Sequence, residues 1–365
     1  MPTGPLHIAL IGAGIAGITC ARTLAQGGHR VSVFEKSDGV GGRMATRSTP
    51  FGSFDHGAQY FTVRDPRFAL ALQTAPGLCK PWSANAVRVL DALGRVAEAS
   101  LPHPQSHWVA VPGMSSLVRQ WSLPLVQNAL QSAEQASSVT LQTTVEHIER
   151  DALNTQRWQL RTLGADGGNT VYSGFDAVLL AIPHAQAAAL LQHSTLEPKQ
   201  AKEFAKKVVK EIAKVDVAPC WTLMLAFPKA SQPGLPHLGP QWNAARSTHH
   251  RIAWLARESS KPGRDRIERW TVQASAAWSQ EHLDDDPARV QAKLIKAFAE
   301  VTGIRAEAGH AEVHRWHYAK TLKPLGKSHL WDAKSQIGVA GDWCLGHRVE
   351  DAFVSGLELA LAVIN

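Results

Sequence analysis

Apolar residues crowd the stretch His7 to Ile11, recur at helical spacing from Ile15 to Gln26 after a run of glycines, and return as a second short run from Arg30 to Glu35. A short apolar run, a 3.6-residue period and another short run predict strand, helix and strand, the opening of a βαβ unit. Past Arg64 the pattern is shorter and more mixed. The alternating runs Val139 to Ile148, Trp158 to Thr162 and Ala177 to Ala181 predict a small antiparallel or mixed sheet that ends at Pro183. From Glu197 to Val215, Phe204, Val208 and Ile212 fall four apart with the lysines mostly off that stripe, which predicts an amphipathic helix with a solvated basic face. Strand-like stretches follow at Trp221 to Phe227, Ile252 to Arg257 and Arg269 to Ala274, then a helix from Pro287 to Thr302 opened by the acidic run Asp284 to Asp286. The end returns to the first pattern, with strand Gln336 to Ala340, then Gly341-Asp342, then a helix from about Val349 to Val363.

The predicted class is α/β, with a discontinuous nucleotide-binding domain (1–64, 106–184 and 326–365) and a second, substrate domain (65–105 and 185–325) built on a mainly antiparallel sheet. A chain of 365 residues with 44% hydrophobic content exceeds one compact unit of ~100 to 200 residues, so two domains are expected. No 18-residue apolar run appears, and the apolar start lacks a basic leader or cleavage site, which leads us to expect a cytoplasmic protein with no membrane partner. Cys20, Cys79, Cys220 and Cys344 are scattered, with no CxxC pair and no zinc spacing, so no metal is expected. The net charge of +7 suits an anionic partner without choosing among a dinucleotide, a nucleic acid and a membrane. The 12 tryptophans are spread from Trp82 to Trp343 without a basic-aromatic module, which favours core packing over nucleic-acid stacking.

The chemistry starts at Gly12-Ala13-Gly14-Ile15-Ala16-Gly17. In such a turn the first glycine permits the bend, the second lets a pyrophosphate approach and the third lets helix pack on strand, while the helix N-terminus offers N–H groups to phosphate. Glu35, at the end of the second strand, is placed to accept the ribose hydroxyls of an adenosine. Gly41-Gly42-Arg43 brings a second close-backbone segment and a guanidinium to the same crevice, and Gly341-Asp342 after a buried strand supplies a matching C-terminal motif. These features resemble FAD proteins of the amine-oxidase and glutathione-reductase-like superfamily, with a Rossmann-type FAD-binding domain. The segments Phe54 to Phe61, Val111 to Met114, Ser259 to Arg264 and Gly341 to Phe353 further resemble bacterial renalase-type proteins over nearly the whole chain.

That resemblance implies non-covalent FAD held by Gly12, Ala13, Gly14, Ile15, Ala16, Gly17, Glu35, Lys36, Gly42, Arg43, Gln59, Tyr60, Phe61, Gly341, Asp342, Arg348 and Val349, with Val145 a backbone partner for adenine. It also implies an oxidase for the 2- or 6-dihydro isomers of NAD(P)H, with molecular oxygen taking the electrons as hydrogen peroxide. Such chemistry asks the protein mainly to align two flat rings, so no acid-base pair is expected. An amine oxidase or desaturase, and a non-catalytic flavin-binding or nucleic-acid-associated protein, are the alternatives.

Several residues carry a plainer reading beside a functional one. His56 sits among the implied flavin contacts and is a candidate substrate contact, although a hydrogen-bonded structural histidine fits its pattern better. Cys344, beside Asp342, is expected to be a buried hydrophobe rather than a flavin tether. His314 and His317, three apart in a stretch that reads as strand, lack a third metal ligand. Lys261 and Arg264 flank Pro262-Gly263 in an expected exposed turn, where they are either solvated or contacts for a phosphate-bearing substrate.

Overall fold

The computed structural model describes residues 4–82, 87–97, 106–127, 136–229, 239–240 and 242–365. The chain divides into two compact units, one of residues 1–42, 118–217 and 321–365, the other of residues 43–117 and 218–320.

The first unit is a Rossmann-like layer structure. Its six-stranded sheet runs in the order His329–Asp332, Ile337–Ala340, Ala177–Leu180, His7–Ile11, Arg30–Phe34 and Ser138–Thr140. All neighbours pair in parallel except His329–Asp332, which is antiparallel to Ile337–Ala340. The inner strands are buried on both faces, and for this reason their sequences read as unbroken apolar runs. Ala9, Ile11, Phe34, Val178 and Leu180 point to one face and join Trp158, Leu160 and Phe175 of a three-stranded antiparallel sheet, Thr143–Arg150, Trp158–Gly164 and Asn169–Phe175. The helices Ile15–Gln26 and Val349–Ile364 pack closely on each other, because Gly356 has no side chain to collide with the carbonyl of Ala16.

Two expectations change in this unit. The runs predicted to form one small sheet divide, with Ser138–Thr140 and Ala177–Leu180 joining the parallel sheet while Thr143–Arg150 and Trp158–Gly164 form the antiparallel one. The amphipathic helix, Lys199–Ile212, which the sequence places in the second domain, belongs here, since Ala201, Ala205, Val208 and Ile212 are buried in the same core as Ile11 and Leu180.

The second unit has a six-stranded sheet in the order His310–Lys323, Asp216–Phe227, Glu268–Ala274, Ile252–Arg257, Ala244–Ser247 and Val87–Leu90. Pairing is antiparallel from Asp216–Phe227 to Ala244–Ser247 and parallel between Ala244–Ser247 and Val87–Leu90. Leu223, Leu225, Leu255, Trp270 and Val272 face the helix Pro287–Thr302, which buries Val290, Leu294, Ala297, Phe298 and Val301 against them. Asp286 caps that helix by accepting from the Arg289 N–H at 3.0 Å, and Gly303 ends it with φ of 75°.

Alternation sends Thr222, Met224, Trp254, Arg269, Thr271 and Gln273 to the opposite face of this sheet. The segment 51–61 crosses that face. Arg269 donates to the carbonyls of Phe51 at 2.9 Å and Ser53 at 3.2 Å, Gln273 Nε2 donates to the Gly57 carbonyl at 2.7 Å, and Phe54 packs on Met224 and Ala226. Residues 43–64, placed in the nucleotide domain from sequence, therefore fold with the second unit.

Candidate dinucleotide site and a buried ion cluster

In the first unit the two motif segments leave the carboxyl ends of parallel strands, His7–Ile11 and Ile337–Ala340, on either side of Ala177–Leu180. Strand order reverses at that point, and this is where open parallel sheets receive ligands. The three glycines of the first turn meet different demands. Gly12 has φ of 102°, and a Cβ there would come within 2.6 Å of the Ala181 carbonyl. A Cβ on Gly17 would collide with the Gly12 carbonyl, whereas one on Gly14 would meet nothing within 4 Å. Gly14 is thus the open position, and it begins a helix with no side-chain cap. Uncapped N–H groups over an open glycine form a ready seat for phosphate.

The Gly41 N–H donates to the Ala13 carbonyl at 2.9 Å, and Gly42, with φ of 54°, lies against Gly14. Glu35 is buried at the end of its strand, where Oε2 accepts the Ala13 N–H at 2.8 Å and Oε1 the Ser37 N–H at 2.9 Å. The carboxylate therefore braces the glycine turn, and each oxygen keeps a lone pair for a ribose hydroxyl. Lys36 beside it is exposed. Val145 is half-buried in the strand Thr143–Arg150, whose first residue donates its N–H to the Glu35 carbonyl at 2.9 Å.

On the other side, Gly341 donates its N–H to Ser355 Oγ at 2.9 Å, and Asp342, 5% exposed, accepts from Thr321 Oγ1 at 3.4 Å. The Arg348 N–H donates to Asp351 Oδ2 at 2.9 Å, fixing the start of the helix at the half-buried Val349. Cys344 is fully buried, and burial pushes its thiol up to about 12. Such a thiol is not a nucleophile at neutral pH.

The remaining expected residues lie in the second unit. Arg43 reaches the Ala319 carbonyl at 3.4 Å. Gln59 spends its side chain locally, donating to the Asp55 carbonyl and accepting from Lys261 at 3.3 Å. Phe61 is buried and exchanges backbone hydrogen bonds with Trp108. Tyr60 is half-buried against His107 and Trp254.

The exposed cations expected around Pro262-Gly263 are not found. Lys261 is fully buried, 3.1 Å from Asp55 Oδ2 and 3.0 Å from Glu258 Oε2, and Arg264 sits 2.6 Å from Asp55 Oδ2. Asp55 also accepts from Thr46 Oγ1 at 2.8 Å and the Met114 N–H at 2.9 Å, while Glu258 accepts from Thr271 Oγ1 at 2.7 Å. Burial alone would raise Asp55, but Lys261 and Arg264 outweigh it and hold the carboxyl below its usual range. Burial, with Asp55 nearby, keeps Glu258 above the usual range against the pull of Lys261. Both cations are committed to carboxylates, which corrects their reading as free phosphate contacts. Asp55 and Glu258 were not among the sequence candidates. The available signal for Asp55 was a lone acid between the aromatic Phe54 and His56, and the sequence holds no signal for its pairing with Lys261 and Arg264.

His56 is buried, stacks on Trp316 at 5.1 Å and meets His314 edge-on at 4.8 Å. Burial, His314 and Arg47 bring its pKa down to about 3, so the imidazole is neutral at physiological pH. His314 and His317 lie on one strand, and among the described residues no cluster of metal-binding side chains occurs. No helix of the described residues is long and apolar enough to cross a membrane.

Residues 10–72 match a family described as NAD(P)-binding Rossmann-like domain, and residues 101–364 match one described as flavin containing amine oxidoreductase. The chain belongs to the flavin-containing amine oxidoreductase family. Among curated relatives, an L-amino-acid oxidase of Bungarus fasciatus is 50% identical over 44 residues, covering 12% of this chain and 8% of that protein. A 4,4'-diapophytoene desaturase of Staphylococcus haemolyticus (strain JCSC1435) is 42% identical over 60 residues, 16% of this chain and 12% of that protein. The likeness to these relatives thus spans about a tenth of their length. Cyclohexylamine oxidase from Brevibacterium oxydans IH-35A shares the fold with a TM-score of 0.66 at 13% identity, covering 99% of each chain. A putrescine oxidase solved with putrescine does so at 0.66 and 12% identity over 100% of each.

Membership of the flavin-containing amine oxidoreductases implies a flavin. The cradle fits the dinucleotide form of that group, because the open Gly14, the uncapped helix above it and the spare lone pairs of Glu35 match a pyrophosphate and a ribose.

Proposed function

We propose that this family member is an oxidase with non-covalent FAD that takes hydride from the 2- or 6-dihydro isomers of NAD(P)H. Bound FAD supplies the electron sink, so that the donor, a proton and O2 become NAD(P)+ and H2O2. Gly12 to Gly17 would seat the pyrophosphate, Glu35 and Asp342 would accept from the sugar portions, and the positive end of the helix Val349–Ile364 would favour negative charge on a ring placed at it.

One observation carries the substrate reading. The segment 55–61, which bears the renalase-type resemblance, carries no free charge, with His56 held uncharged and Asp55 paired with Lys261 and Arg264. A dihydronicotinamide becomes aromatic on losing hydride and asks for no proton transfer. An amine is a cation at neutral pH and must first shed a proton. The family name and the fold shared with amine oxidases support an amine as the second reading. Anaerobic stopped-flow mixing with 2-, 4- and 6-dihydro NAD(P)H and with amines separates them. Flavin bleaching is expected to be fastest with the 2- or 6-isomers, and equal rates for all isomers, or faster bleaching by an amine, would refute the proposal.

A further inference from the structure

A second group of side chains in the 43–117 and 218–320 unit has no place in the ion cluster. On the sheet face crossed by the segment 51–61, Arg246 and Trp254 are cross-strand partners, so their side chains share that face. The residues beside them in register, Ala245 and Leu255, point the other way into the core. Tyr60 lies against Trp254, ring centroids 5.5 Å apart and tilted by 41°, and against His107 at 4.0 Å. Arg246 is close enough to His107 to add its charge to the burial that lowers the imidazole pKa.

Two buried polar atoms of this group have no hydrogen-bond partner among the described residues. Trp254 is 8% exposed, yet its indole N–H is buried without a hydrogen-bond acceptor. Trp82, Trp158, Trp221, Trp270, Trp316 and Trp343 each donate to a protein oxygen. His107 Nδ1 is likewise buried and unpartnered, and Arg246 is exposed and forms no ion pair or hydrogen bond among the described residues. A buried donor left without a partner is costly, and proteins keep one mainly where something else completes it. Here the unpaired N–H belongs to one of three rings in series, Trp254, Tyr60 and His107, and the exposed Arg246 is the cross-strand neighbour of Trp254. That combination matches a ligand with a flat heterocycle and an anionic group: the rings take the heterocycle by stacking and the guanidinium takes phosphate.

We propose that Tyr60, His107, Trp254 and Arg246 form a subsite for the adenosine-phosphate end of the dinucleotide substrate, with the Trp254 N–H donating to it and Arg246 pairing with its phosphate. The assignment rests on the dinucleotide reading of the function, and it adds recognition of a part of the substrate that does not react. Binding energy from a non-reacting part of the substrate then positions the reacting ring.

The test uses the FAD-loaded protein, so that the cofactor's own adenosine seat is filled, and ADP and adenosine as probes in isothermal titration calorimetry. ADP should bind saturably, and more weakly as salt rises. Arg246→Gln should weaken ADP about tenfold and flatten the salt dependence while leaving adenosine affinity unaltered. Trp254→Phe, which keeps a ring and removes the N–H, should weaken both probes. Arg246 is exposed, so its replacement tests the subsite without threatening the fold. Absence of saturable ADP binding, or an ADP affinity unchanged in both variants, would overturn the proposal. If the dihydro isomers fail to bleach the flavin while ADP binding follows the variants as stated, the subsite stands and only the identity of the hydride donor is refuted.

Discussion

Lys261→Met removes one charge from the centre of the buried cluster and leaves an apolar side chain of similar length. In the wild type the Lys261 ammonium lies 3.1 Å from Asp55 and 3.0 Å from Glu258, and these side chains are shielded from solvent. In the variant Asp55 keeps Arg264 at 2.6 Å and Glu258 keeps the Thr271 hydroxyl at 2.7 Å. Breaking a buried pair costs about 3–5 kcal/mol, because the surviving charge stays out of water without compensation. At about 2–4 °C per kcal/mol this lowers Tm by on the order of 10 °C. The penalty should also depend on pH with a definite sign. Glu258 already sits above its ordinary range because it is buried next to Asp55, and losing Lys261 raises it further. A carboxyl whose folded pKa is raised binds more protons folded than unfolded, so the variant gains stability as pH falls toward the unfolded value of about 4.3. Asp55 also loses Lys261, so its carboxyl rises from its lowered wild-type position while Arg264 still holds it, a change of the same sign as that of Glu258. Thermal unfolding of both proteins at pH 5, 6, 7 and 8 measures the effect, and Lys261→Met combined with Glu258→Gln should recover much of the loss. A Tm change under about 2 °C, or a penalty that grows as pH falls, would show that these charges are not held out of water as argued.

Three further outcomes follow from the same geometry. Glu35→Ala should weaken FAD at least tenfold, from about 1.5–3 kcal/mol of lost charge-assisted hydrogen bonds; it should also lower the Tm of the flavin-free protein, because the carboxylate braces Ala13 and Ser37. Fluorescence titration and melting check the two parts, and unaltered affinity removes Glu35 from the site. Acid precipitation should release all flavin into the supernatant, and Cys344→Ala should leave flavin content unaltered, since the Cys344 thiol is buried and pushed up to about 12; colour retained in the pellet contradicts this. Burial lowers His7 to about 4 and His56 to about 3. Unfolded histidines take up protons near 6.5, so stability should fall as pH drops from about 7 toward 4. Ring-nitrogen NMR shifts of His56 should stay neutral down to pH 5, and a midpoint near 6.5 would refute its burial.

The parts of this protein legible from sequence are those in which cause and effect lie close together along the chain. The Gly12 to Gly17 turn is one such part, because positive φ, an open helix start and close helix packing are each demands on single residues. The helix Pro287–Thr302 is another, bounded by its Asp286 cap and left-handed Gly303. Family membership and the α/β class follow from such local signals. Hydrophobic period, however, says which face of an element is buried and not what buries it. Hence the sequence shows the helix Lys199–Ile212 as amphipathic but not which core it joins, and the run from Val139 to Ile148 divides between two sheets. The same limit governs the charges. Lys261 and Arg264 read as turn residues because their partner Asp55 lies 206 and 209 residues away in sequence. Only chain folding decides that these charges meet in a dry interior, where pairing outweighs hydration, and only there does an unpartnered indole such as that of Trp254 become visible as a feature of its own.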